Sequence, residues 1–166
     1  MMIAHFKLMA RYNRWANDRL LEAAAKLTPK QLWEDKGVFF RSFLGTLNHL
    51  MVGDVMWMNR FEGLPPPEGW TLKTVVHREL EPFRTAREAL DERIQAFTAA
   101  IAPEQLEAVL KYRTSAGQEV SSAFTPTLFH MFNHQTHHRG QAHGVLTTLG
   151  AVGPELDLIY FVRQGG

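Results

Sequence analysis

Five of the eight histidines in this 166-residue chain fall between residues 130 and 143: His130, His134, His137, His138 and His143. An α-helix turns once in about 3.6 residues, so side chains four apart stand one above the other. His134 and His138 are therefore an i,i+4 pair able to share a divalent ion, the arrangement that helical metal sites use. The pairs His130/His134 and His134/His137 are also spaced for it, and spacing alone does not choose among them. A catalytic zinc ion takes three protein ligands and keeps one position open, so a further ligand has to come from another helix. His49 is the best placed, with Val52 and Met56 continuing its side toward the core, whereas His5 lies near a chain end and His77 in an irregular stretch. The bland alternative is that these imidazoles are hydrogen-bonded core residues.

Two absences narrow the chemistry. There is no cysteine, which removes disulfides, CxxC redox chemistry, thiolate nucleophiles and Cys-type zinc sites, so any metal must sit on nitrogen and oxygen. Between Glu119 and Glu155 there is no Asp or Glu, so the histidine-rich helix has no counterpart of the glutamate in an HExxH protease. Asp54 follows His49 by five positions, on a different side of its helix, and is expected in a solvent or interhelix contact.

The elements that must position these residues are helical. Phe6, Met9, Asn13, Ala16, Leu20 and Ala24 recur every three or four residues and predict a first helix over about residues 2–27. Thr28-Pro29-Lys30-Gln31 has the form of a capping box opening a short helical turn through Trp33. Ser42 can cap a second helix reaching about Phe61, with an apolar stripe of Leu44, Leu47, Met51, Val55 and Met58. Gly63-Leu-Pro-Pro-Pro-Glu-Gly69 cannot continue it, because prolines lack the amide donor. A third helix follows Pro82, through Phe83, Ala86, Leu90, Ile94, Phe97 and Ile101, with Arg84/Glu88 and Arg87/Asp91 expected as solvent-side pairs. Residues 108–123 offer two extended runs around Ser-Ala-Gly and allow a small hairpin. Thr125-Pro126 reads as N-cap and first residue of a fourth helix ending near Leu149, before Gly150. LDLIYFV closes the chain as a terminal helix or extended segment.

Length and a 45% hydrophobic content suit one domain over residues 1–166. A net charge of +1 lacks the basic excess of a nucleic-acid binder, so none is expected as partner. The first ten residues already carry charges and no apolar run reaches membrane-spanning length, so a cytoplasmic setting is the expectation.

The segment Phe132-Asn-His-Gln-Thr-His-His-Arg-Gly-Gln141 resembles the H-x-x-x-H-R-G-Q signature of the DinB/YfiT-like family. Tyr12-Asn-Arg-Trp-Ala-Asn17, Leu47-Asn-His-Leu with Trp57, and Asp157-Leu-Ile-Tyr160 resemble it in the same order, so the likeness covers nearly the whole chain. It implies an all-α four-helix bundle with a short fifth helical element. It also implies a metal held by one histidine of the second helix and the two of the motif, which map onto His49, His134 and His138. His130, His137 and His143 then fall to packing or supporting roles.

Three neutral imidazoles leave an ion its full charge and an open position, which suits a reactive site. Without an obvious general base, the substrate that fits is one activated by metal binding alone, and a thiol is such a group. The resemblance points the same way, since relatives include thiol-dependent S-transferases, a maleylpyruvate isomerase and metal-dependent hydrolases. The leading expectation is thus a zinc- or nickel-dependent enzyme acting on a small molecule with a low-molecular-weight thiol or water. The competing one is a non-catalytic metal or small-ligand binding protein of a stress response. The resemblance also implies a homodimer, for which Gly140 and Gly144 offer a close-approach strip. Arg139 is expected in a structural hydrogen-bonding role rather than on an anionic substrate. Trp15, Trp33, Trp57 and Trp70 are expected in the core rather than around a pocket.

Overall fold

A computed structural model describes residues 1–114 and 116–166. Helix α1 spans Met2–Ala24 and α2 spans Pro29–Leu32. Next come α3, Phe43–Phe61, and α4, Leu80–Ala100. A 3-10 turn, Pro103–Glu107, leads to strands β1, Val109–Arg113, and β2, Glu119–Ala123. Helix α5, Phe124–Thr148, and α6, Leu158–Arg163, complete the chain. The fold is mostly helical, with α1 packed on α4 and α5, and α3 packed on α5 and α4. Among the described residues no helix is long and apolar enough to cross a membrane.

Local chemistry explains the boundaries. α1 ends three residues before the expected one because Thr28 precedes a proline and is extended, so the chain tightens through Lys26 N–H to Ala23 and Leu27 N–H to Ala24. The Thr28/Gln31 capping box is present, and Ser42 Oγ accepts from Gly45 N–H at the start of α3. Pro82 falls within the first turn of α4, where a missing donor costs nothing because those amides have no intrahelical partner.

The expected all-α architecture is corrected by the hairpin that residues 108–123 allowed. β1 and β2 pair antiparallel, from Val109 opposite Ala123 to Arg113 opposite Glu119. Ser115, between the strands, lies outside the described residues. The N-cap expected at Thr125 is also corrected: α5 continues directly from β2 with Ala123 at its cap, and Thr125 Oγ donates instead to the Leu106 carbonyl. Gly150 terminates α5 with a left-handed φ of 80°, as its position predicts.

Core side chains from all four long helices, including Phe6, Leu20, Phe43, Met58, Phe83, Ile94, Leu128 and Met131, are fully enclosed. Among them lies a buried polar cluster. Arg87 and Asp91, expected on the solvent side, are only 3% and 1% exposed, because a helical i,i+4 ion pair reads the same whichever face it occupies. Arg87 donates to Asp54 at 2.6 Å and to both oxygens of Asp91 at 2.8 and 3.0 Å. Asp91 also accepts from Asn13 and Asn17 of α1. Gln135 donates to Asp54, and Arg139 donates to Asn13 and Gln135, the structural role expected of it. Two cations and two anions thus close on one another across four helices. Gln135 and Arg139 each follow a motif histidine directly, so anchoring them toward the centre fixes the rotation of α5 and sets His134 and His138 on its flank facing α3.

Candidate metal centre

His49 projects from the middle of α3, and His134 and His138 from successive turns of α5. Each offers a ring nitrogen, and the three atoms lie within 4.8 Å of one another. His49 Nε2 and His134 Nε2 are 3.1 Å apart. Two nitrogens bound about 2.0–2.1 Å from one tetrahedral ion would stand about 3.3 Å apart, so the spacing fits a shared cation.

The opposite ring nitrogens explain why the lone pairs turn inward. His49 Nδ1 lies 2.9 Å from the Leu72 carbonyl, which can only accept, so Nδ1 carries the proton and Nε2 the lone pair. His138 Nδ1 donates to Gln141 Oε1 at 2.7 Å, with the same result. Gln141 in turn donates to His137 Nε2 at 3.2 Å. Outer partners of this kind orient metal-ligating histidines and set their tautomer. His134 makes no such bond among the described residues. It rests on α3 at Gly53, where an added Cβ would stand 3.0 Å from its ring.

Burial favours the neutral imidazole at all three positions. It pushes the His134 pKa down to about 3, helped by the neighbouring histidines. Burial also lowers His49, against the opposing Leu72 bond, and lowers His138. Three nitrogen donors converge and no carboxylate among the described residues joins them, a donor set that suits a divalent transition-metal ion. Asp54, the acid nearest in sequence to His49, is fully buried and engaged with Arg87 and Gln135, which realises its expected interhelix contact. Burial pushes its carboxyl up to about 6, opposed by the Arg87 charge.

The other histidines stand outside the group. His130 is exposed, with its ring 5.2 Å from Trp57 and 5.8 Å from His134. His137 packs edge-on against His138. His143 abuts Gly153, and His5 packs on Phe6 and Phe129. The His77 backbone bonds Asn48.

Sequence reasoning missed four contributors. Gln141 lies three residues beyond His138 and Gly53 four beyond His49, so helical spacing could have found both. Phe40, whose ring stacks on His49 at 3.8 Å and 14°, and the Leu72 carbonyl come from irregular segments that carry no periodic signal. Trp33 packs against the core, as expected of the tryptophans, and also lines a cavity beside His49. An added Cβ at Gly140 or Gly144 would meet nothing within 4 Å among the described residues.

Fold and site together define a mostly helical protein in which two neighbouring helices present a three-histidine group able to hold a metal ion. The family model described as "DinB family" matches residues 2–164, and the chain belongs to the DinB family. It is similar to "Protein DinB" of Bacillus subtilis (strain 168), at 26% identity over 158 residues, covering 92% of this chain and 90% of that protein.

Proposed function

We propose that this protein binds a divalent ion, zinc or nickel, through His49, His134 and His138 and is an enzyme of the thiol S-transferase type acting on a small molecule. The observation that carries the reading is the pair of outward Nδ1 bonds, to Leu72 and Gln141, that leave two Nε2 lone pairs aimed at a common point with the third. An ion bound there supplies Lewis acidity that lowers the pKa of a thiol or water reaching it.

The chain's own residues do the rest. Phe40 covers one face of His49 and keeps water from that side. Gly53 leaves the space that the His134 ring occupies. Among the described residues no acid stands with the three imidazoles to take a proton, which favours a substrate that loses its proton on metal binding, as a thiol does. The reading takes residues 1–166 as a single four-helix-bundle domain, working in the cytoplasm as a homodimer.

The test is conjugation of an aryl halide with a panel of low-molecular-weight thiols, using protein loaded with zinc or with nickel. Conjugate that forms only when thiol and metal are both present supports the enzyme. Absence of conjugate with every thiol and either metal overturns it in favour of the non-catalytic binding role.

A further inference from the structure

Beside His49 the irregular segments around residues 33–42 and 72–75 enclose a cavity of about 420 Å³. Its walls are apolar: Trp33, Phe39, Phe40, Leu72 and Val75. Phe39 is 76% exposed, and Leu72 and Val75 are also exposed, so three apolar side chains stand uncovered at this mouth. Three of its polar side chains are engaged within the chain. Trp33 Nε1 donates to the Arg78 carbonyl, Ser42 Oγ accepts from Gly45, and Thr74 Oγ accepts from Thr71.

Charge at the rim is unbalanced. Asp35 accepts from Gly37 N–H and from Arg41 Nε at 3.0 and 2.8 Å, which neutralises that pair. Arg41 is held for it in a left-handed conformation, φ 68°, by backbone bonds to Val38 and Lys36. Lys73 makes no ion pair among the described residues. The mouth therefore carries one uncompensated positive charge beside apolar walls.

We infer that this cavity is a subsite for a small-molecule substrate with a flat apolar body and one anionic group, the body lying against Trp33, Phe40 and Val75 and the anion meeting Lys73. The inference rests on the metal reading only for its role, since it would present an apolar acceptor to the histidines. The cavity itself is built without an ion.

The probes are anilinonaphthalene sulfonate, which is apolar and anionic, and N-phenylnaphthylamine, which is its uncharged analogue. Both are titrated by fluorescence into the full chain, metal-free and zinc-loaded. Val75→Trp, which fills the cavity, weakens both probes by more than about tenfold. Lys73→Glu weakens the sulfonate by about fivefold and leaves the amine unchanged. Phe39→Ala, at an exposed position that folding does not need, weakens both and serves should the tryptophan variant fail to fold. Unchanged binding in Val75→Trp and Phe39→Ala overturns the subsite, and equal weakening of both probes by Lys73→Glu overturns its preference for an anion. Zinc stoichiometry measured on the same variants stays at the wild-type value. Loss of zinc site and loss of probe site are thus read separately, so either assignment can fail without the other.

Discussion

Helices α3 and α5 contribute to two polar clusters that sit side by side and are built on opposite principles. Gln135 and Arg139 join Asp54, Arg87 and Asp91 in a group where two positive charges face two negative ones and nearly every donor meets an acceptor. One residue earlier in each case, His134 and His138 join His49 in a group of three ring nitrogens that lie within 4.8 Å of one another, with no charged partner among the described residues. The first cluster is complete as it stands, apart from Asp54 Oδ1, which lacks a partner. The second has the donor set that a cation would complete. A one-residue step along a helix, about 100° of rotation, thus separates a cluster that stabilises the fold from one suited to binding.

The largest effect should come from opening the closed cluster. Arg87→Met leaves Asp54 and Asp91 buried without their cation and should cost about 3–5 kcal/mol in denaturant unfolding, with metal stoichiometry per folded chain retained. An unchanged unfolding midpoint would mean that the four charges do not depend on one another.

Opening the other cluster should act only through the ion. His134→Ala should lose the protection zinc gives the wild type, about 2.7 kcal/mol at a hundredfold excess over the dissociation constant. In the absence of metal its unfolding should differ little from wild type at neutral pH. Equal zinc protection of both proteins would place the ion elsewhere. Gln141→Leu, which frees the His138 ring to turn, should weaken zinc about 10- to 100-fold by competition with a chelator. Gln141→Glu, which keeps an acceptor, should restore most of it.

Acid should divide the clusters by sign. His134 titrates near 3 when folded against about 6.5 unfolded, so the unfolded chain takes up the proton first and metal-free stability falls as pH drops below about 6.5. Asp54 titrates near 6 when folded against about 3.9 unfolded, so the folded chain takes up that proton first and the group adds stability as pH falls through 6. Comparing denaturant midpoints of wild type and His134→Ala between pH 7 and 4.5 should show the wild type losing ground to the variant. Parallel curves would mean that His134 is not held neutral by its surroundings.

The long helices were legible because apolar residues repeat every three or four positions, whereas helical spacing left His130/His134 and His134/His137 open beside His134/His138, and only the family resemblance pointed to the last pair. His49 was legible as a mid-helix imidazole beside apolar neighbours. Arg87 and Asp91 were misplaced because pairing within a helix says nothing of which face is buried, and only the partners Asn13, Asn17 and Asp54, distant in sequence, settle that. The Thr125 cap failed because the hairpin feeds α5 directly and the Leu106 carbonyl claims the hydroxyl. Phe40 and Leu72 escaped because loop contacts have no period.

The most direct measurement is elemental analysis of the wild type and His49→Ala, both purified without exposure to a nickel column. The account predicts about one zinc or nickel per wild-type chain, the occupancy of a three-ligand site, and almost none in the variant. Full occupancy in His49→Ala would contradict it.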